Sequence, residues 1–262
     1  MADKVLTNDE VEVLAQILYK AYKSQEPLEM SKFEAFDDDS AYRVQRRLME
    51  LKVKKLGGYK ISLTSEETQK MFNSTEPLYG AQLDERFFRD QADLPFSMFM
   101  DPLVEVELVF TAKTDLAADD DFATLMEKTT VAPAVELPDC RFKEWFPTLP
   151  KNLVMADAAV GGAVVYGKEH DTTDFDFEEL AEVSTQLFHD GEQVAEGESS
   201  EVLGNPLKSL HWLTEKLAET DQVVQQGQHV STGTFLLPVP LKPGKWEAKF
   251  DHELGNVAFT VK

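Results

Sequence analysis

From Asn8 to about Ser24 the apolar residues Val11, Leu14, Ile17, Leu18 and Tyr22 recur at three- and four-residue spacing, behind Thr7 or Asn8 as a cap and acids in the first turn. This pattern predicts an amphipathic helix. A second such segment runs from Asp38 to about Leu56, carries Tyr42, Val44, Leu48, Leu51 and Val53, and stops at Gly57-Gly58 as a helix C-terminus should. After Gly58 the pattern shortens to runs that read as strands: GYKISLT, PLVEVELVFTAK, VAPAVEL, LVMADAAVGGAVVYG, STQLFHDGEQVAEG and the tail from GTFLLPVP onward. Asp190-Gly191 marks a hairpin, and Pro243-Gly244 and Leu254-Gly255-Asn256 punctuate the tail. Two more helices interrupt the strands, one at about Asp119 to Lys128 and one at Pro206 to Leu217. With no fixed-period repeat and no linker rich in Pro, Gly or Ser, the expected architecture is a single α+β domain. Its N-terminal helical layer, residues 1–57, packs on a β-rich core, residues 58–262.

Charge changes the picture by exclusion. The 262 residues hold 26 Lys plus Arg against 48 Asp plus Glu, a formal net charge of −22, with no basic cluster as a local exception. So acidic a chain repels phosphate backbones and anionic leaflets, so neither nucleic acid nor a membrane is the expected partner. A lone cysteine, Cys140, can make neither an intrachain disulfide nor a cysteine zinc site, and MADKVLTNDEVEVLAQ lacks the basic and apolar regions of a signal peptide. The longest apolar stretch, Leu153 to Tyr166, is broken by Asp157 and two glycines. The expected location is the cytoplasm.

In Val104-Glu105-Val106-Glu107-Leu108 the glutamates alternate with apolar residues, so a strand projects both from one face, roughly 7 Å apart. A solvated edge strand would explain that pair. Glu136, however, sits within the apolar segment Val131-Ala132-Pro133-Ala134-Val135, where an unpaired carboxylate is costly to bury. Three glutamates with neither cysteine nor histidine beside them form a hard-oxygen set suited to Mg²⁺ or Mn²⁺. In Gly58-Tyr59-Lys60-Ile61-Ser62-Leu63-Thr64, alternation puts Lys60, Ser62 and Thr64 on one face, as either an exposed surface or a site whose lysine serves as proton donor or cation.

The order GYKISLT, Pro77 to Gly80 as P-x-x-G, PLVEVELVF, PAVELPDCRFKEW, MADAAVGGAVVYG and LGNPLKSLHWL resembles the 2-keto-4-pentenoate hydratase and 4-oxalocrotonate decarboxylase family, within the fumarylacetoacetate hydrolase superfamily. The likeness covers nearly the whole chain. It implies a core of that superfamily's C-terminal-domain type, with Glu105, Glu107 and Glu136 binding a divalent metal, usually Mg²⁺, and Lys60 as the catalytic lysine. It also implies a homo-oligomer. Some positions depart from the family pattern. Where an acidic residue is common after P-x-x-G, the chain reads Gly80-Ala81-Gln82-Leu83-Asp84-Glu85-Arg86, so Glu85, or Asp84 with a one-residue slip, has to substitute. The common D-N-A-S is here Asp157-Ala158-Ala159-Val160, without the amide and hydroxyl, and Ser62 stands where a second glycine is usual.

The resemblance implies a small-molecule substrate, a short 2-oxo or 2-hydroxydienoic acid, most simply hydrated as a 2-hydroxypenta-2,4-dienoate. The alternatives are decarboxylation of a 4-oxalocrotonate-type diacid and, in another class, metal-dependent metabolite binding without turnover. A carbon–carbon bond hydrolase of the superfamily would need a histidine upstream of the metal strands, whereas the first histidine here is His170. The five histidines read as structural or exposed, Cys140 as packed, and Arg141 as either a local ion-pair partner or a ligand for a distal carboxylate.

Overall fold

The computed structural model describes residues 4–262, so the first three positions of the expected helical layer lie outside the described residues. Two long helices come first, α1 (Asn8–Ser24) and α2 (Asp38–Lys52), and four others follow: α3 (Glu66–Met71), α4 (Phe122–Glu127), α5 (Lys151–Ala156) and α6 (Pro206–Ala218). The strands of the larger sheet are β1 (Leu56–Ser62), β2 (Leu78–Leu83), β3 (Phe87–Arg89), β5 (Leu103–Ala112), β6 (Thr129–Leu137), β7 (Ala163–Tyr166), β8 (His170–Asp171), β11 (His229–Ser231) and β12 (Val239–Pro240). The smaller sheet holds β4 (Ala92–Leu94), β9 (Ser184–His189), β10 (Glu192–Glu198), β13 (Gly244–Phe250) and β14 (Gly255–Val261). The larger sheet has the order β2-β1-β11-β5-β6-β7-β3, with β12 on β5 and β8 on β6; the smaller has the order β10-β9-β13-β14-β4.

Alternation along β5 decides where the core sits. Val104, Val106, Leu108 and Phe110 face one way, into a core shared with Leu187 of β9, Trp246 and Ala248 of β13, Phe259 of β14 and the apolar stripe Leu207, Leu210, Leu213 and Leu217 of α6. The odd-numbered residues therefore face the other way, Leu103 into the cluster of the helical layer and Val109 into a small cluster with Ala132, Ala134, Val164 and Tyr166. That layer is built on Leu14 and Leu18 of α1, Ala41, Val44 and Leu48 of α2 and Leu153 to Ala156 of α5, joined by Phe142 and Trp145. Gln45 ties it to the sheet: its amide nitrogen donates to the carbonyls of Tyr79 (3.1 Å) and Met155 (2.8 Å), and its oxygen accepts from Ala81 N–H (2.9 Å). None of the described helices is long and apolar enough to cross a membrane.

The structure differs from the sequence expectation in two places that matter. Helix α2 ends at Lys52, with Val53 left-handed at φ 48°, rather than at the glycine pair. Gly57-Gly58 instead lies in β1, where a Cβ on Gly58 would fall 1.8 Å from the carbonyl oxygen of His229, so the glycine permits close strand approach rather than capping a helix. The run LVMADAAVGGAVVYG is not one strand. It forms α5, then three consecutive left-handed residues, Ala158, Ala159 and Val160 (φ 53°, 52° and 51°), and only then β7. Left-handed backbone costs roughly 1–2 kcal/mol per non-glycine residue and is a true outlier for β-branched valine, so tertiary bonds must hold the turn.

Candidate metal and substrate site

Strand pairing assembles the three glutamates. Strand β5 lies inside the sheet, between β11 and β6, so the edge-strand reading of its acidic pair is set aside. Glu105 is directly opposite Glu136 and Glu107 opposite Ala134, which brings all three carboxylates to one face; one oxygen from each lies within 4.8 Å of the others. Across the same face, β1 pairs Lys60 with Ser231 and β11 pairs Ser231 with Val109, which places Lys60 beside the glutamates. Its Nζ is 2.8 Å from Glu136 Oε1, with both side chains 1% exposed, so Lys60 is no surface lysine.

The turn after β11 holds the middle glutamate. Ser231 Oγ (2.5 Å) and Gly233 N–H (2.9 Å) both donate to Glu107 Oε2. Gly233 has φ 117°, and a Cβ there would lie 2.2 Å from Thr64 Oγ1, so no other residue brings this amide so close. These bonds leave Glu107 Oε1 and Glu136 Oε2 buried with no hydrogen-bond partner. Such orphaned oxygens are costly in a dry interior, and a hard divalent cation satisfies both. The residues present therefore fit a Mg²⁺-type ion.

Electrostatics agree with the geometry. Burial pushes the Glu105 carboxyl up to about 8, with Lys60 opposing and Glu136 adding to the rise. Burial, Glu136 and Glu105 likewise drive Glu107 far above the ordinary carboxylate range. For Lys60, burial pulls the ammonium down, but Glu136, Glu105 and Glu107 outweigh it and hold it above its usual value. The cluster is buried and holds more acidic groups than its single cation can balance, which is why two of the carboxyls resist ionisation.

From Lys60 and Glu105 a cavity opens outward. It is lined by Ser62, Leu63 and Thr64 at the end of β1, by Phe72, Trp145, Phe146, Val154 and Val160, and by Thr68, Thr234, Pro138 and Pro238. Leu63 has φ 58°, which breaks the alternation and turns the chain around the cavity after Ser62. Val160 reaches this wall from the left-handed turn. Asp157 anchors that turn: its carboxylate accepts from Arg141 Nε (2.6 and 2.8 Å) and Arg141 N–H (3.0 Å), while Arg141 Nη2 donates to the Asp157 carbonyl (3.1 Å). Gln82 Nε2 donates to the Ala158 carbonyl (3.1 Å), and Asp139 N–H to that of Val160 (2.7 Å).

The other candidate residues fall elsewhere. The structure places Glu85 away from the cavity that Lys60 opens. Lys60 pairs with Gly80, whereas β2 continues to Leu83 opposite Leu56 and leaves Glu85 past the end of β1, half-exposed and paired with Lys54 at 2.9 Å. Asp84 is likewise outside, on Lys55 at 2.8 Å. Arg141 resolves as the structural ion-pair partner, since it does not line the cavity that Lys60 opens. Cys140 is buried, with its thiol pushed up by burial. No histidine is among the residues lining the cavity.

No family model matches the chain. Known proteins do. It is 31% identical to the 2-oxo-hept-4-ene-1,7-dioate hydratase of Escherichia coli, over 94% of each chain. It is 28% identical to a 2-keto-4-pentenoate hydratase of Paraburkholderia phymatum, over 95% of this chain and 97% of that one. The fold matches the 4-oxalocrotonate decarboxylase of Pseudomonas putida G7, solved with magnesium and adipate, at TM-score 0.90 and 25% identity over 99% of this chain and 100% of that one. With the buried glutamate triad, the lysine inside it and these likenesses along nearly its whole length, the chain belongs to the 2-keto-4-pentenoate hydratase and 4-oxalocrotonate decarboxylase family of the fumarylacetoacetate hydrolase superfamily.

Proposed function

We propose that the chain is a divalent-metal-dependent lyase that hydrates a 2-hydroxydienoic acid, with Glu105, Glu107 and Glu136 as metal ligands and Lys60 as the catalytic cation. The observation that carries the reading is the pair of orphaned buried oxygens, Glu107 Oε1 and Glu136 Oε2, beside a buried lysine at the floor of a cavity. When bound, Mg²⁺ supplies Lewis-acid polarisation of a chelated 2-oxo acid and balances the three carboxylates. Lys60 Nζ, held by Glu136, faces the substrate's charged end and keeps a proton available there. Ser62 and Thr64 present hydroxyls beside it that can hold a water molecule, and the apolar wall excludes bulk solvent. Glu107 stays oriented through Ser231 and Gly233 whatever the substrate. Decarboxylation is the alternative for a substrate that bears a second carboxylate. A carbon–carbon hydrolase is disfavoured, because its water-activating histidine has no counterpart in the cavity wall.

Self-association in the cytoplasm belongs to the same reading. It is supported by Val5 (73% exposed) and Val13 (57%) around α1, and by a single buried thiol suited to a reducing compartment. The deciding experiment follows the ultraviolet absorbance of 2-hydroxypenta-2,4-dienoate with the purified chain. Its loss in Mg²⁺, abolished by a chelator and restored by added metal, is the expected result; no metal-dependent turnover on any dienoate would refute the proposal.

A further inference from the structure

We infer that the substrate carries a small, uncharged distal end, so that this chain acts on short monocarboxylic 2-hydroxydienoates rather than on diacids such as those some relatives are named for. The inference rests on the lyase reading and narrows its substrate. Of the side chains lining the cavity, about 40 Å³ in volume, only Lys60 and Glu105 are charged, and both belong to the metal site where the 2-oxo acid would be chelated. Most of the remaining wall is apolar: Ile61, Leu63, Phe72, Phe146, Val154 and Val160, with Trp145. Three of its polar side chains are already committed to backbone carbonyls: Trp145 Nε1 donates to Asp101 (2.8 Å), Thr68 Oγ1 to Ser65 (3.1 Å) and Thr234 Oγ1 to Leu236 (2.8 Å). A second carboxylate would be stripped of water and given no second cation in return. Arg141, the nearest cation in sequence to the third metal ligand, is taken by Asp157 and is not part of this wall.

A second observation points the same way. Thr68 and Thr234 also line an outer cleft of about 790 Å³, whose walls bear Glu67, Glu196, Glu198, Glu201 and Asp251 against the single cation Lys249. A distal carboxylate long enough to leave the apolar section would emerge into that negative field. Neither route stabilises a diacid, so of the two lyase outcomes the structure favours hydration of a singly charged dienoate over decarboxylation of a 2-oxo diacid.

The test uses two unreactive ligands of equal carbon count, 2-oxohexanoate and 2-oxoadipate, which share the chelating end and differ only in a terminal methyl or carboxylate. Calorimetry on the Mg²⁺-loaded full chain should show 2-oxohexanoate binding about 10²-fold more tightly. Equal affinities, or tighter 2-oxoadipate, would overturn the inference. Oxalate, which has no distal end, reports the metal end alone: Mg²⁺-dependent oxalate binding in either case keeps the lyase reading intact, and its absence overturns both. Phe72 is half-buried on the cavity wall, so Phe72→Arg places a cation there without emptying the core. That variant should narrow the gap between the two ligands by about tenfold or more; an unaltered ratio would count against the distal end lying on this wall.

Discussion

Lys60 and Glu136 show how a single contact divides the labour at the site. The ammonium takes one oxygen of Glu136 and leaves the other orphaned, so a metal held there would share the carboxylate with the lysine without displacing it. Lys60→Met keeps the length and removes the charge. It should bind Mg²⁺ at least as tightly as the parent by calorimetry, while kcat on a dienoate falls about 10²- to 10⁴-fold, the usual weight of a positioned acid–base group. Retained turnover would take Lys60 out of proton transfer. Glu136→Gln should do the reverse first, weakening Mg²⁺ binding sharply because a buried amide offers no charge. Glu85→Gln should leave kcat/KM within about twofold, since an ion pair as exposed as that with Lys54 contributes little and lies outside the cavity. A large loss of activity in this variant would reinstate the residue that strand register now removes.

Elements set the precision with which those residues are held. Helix α1 starts with a full capping box: Glu10 N–H donates to Thr7 Oγ1 and Thr7 N–H donates back to Glu10 Oε2 at 2.8 Å. The Lys4 hydrogen bond, followed by those from Thr7, pulls the Glu10 carboxyl down to about 2. Its folded value lies below its unfolded one, so the stability this group contributes is present above about pH 4.5 and is lost as pH falls through about 2. Urea melts of the parent and Glu10→Gln should therefore differ near neutrality and converge toward about pH 2; a constant gap would mean that Glu10 acts by packing. The left-handed turn Ala158-Ala159-Val160 is the opposite kind of element, strained and held from outside. Breaking its anchor with Arg141→Met leaves Asp157 buried and uncompensated, which should cost about 3–5 kcal/mol. Denaturant midpoints should fall accordingly, with a rise in KM from the displaced cavity wall.

Across the whole molecule the dominant quantity is a net charge of −22 on 262 residues. An anionic substrate approaches against that field. Salt screens charges over about 10 Å at about 0.1 M, so kcat/KM should rise several-fold with moderate ionic strength while kcat changes little. A fall with salt would mean that local positive potential steers the substrate instead. Screening should also favour self-association through the exposed apolar residues around α1, read as a rise in mass by light scattering; an unchanged monomer mass across the same range would refute assembly through that face.

Much of this was legible in the residue pattern because it depends on local periodicity. Alternation in VEVEL put two carboxylates on one face, the apolar setting of Glu136 marked it as costly, and the spacing in α1, α2 and α6 placed those helices within a few residues. The sequence thus determined the donor chemistry, its order and the element that carries each member. Only the tertiary structure decided what depends on distant chain meeting distant chain. Strand order put β5 inside the sheet rather than at its edge, and the Ser231–Gly233 turn chose which oxygen of Glu107 stays unsatisfied. Register carried Glu85 past Lys60, and Arg141 went to Asp157 to hold a turn that no propensity would predict. The cavity wall draws on Leu63, Phe72, Trp145, Val154 and Val160, residues far apart in sequence. Periodicity reports how each segment divides its faces between water and core; which buried face meets which is a property of packing, and packing chose the apolar wall opposite Lys60.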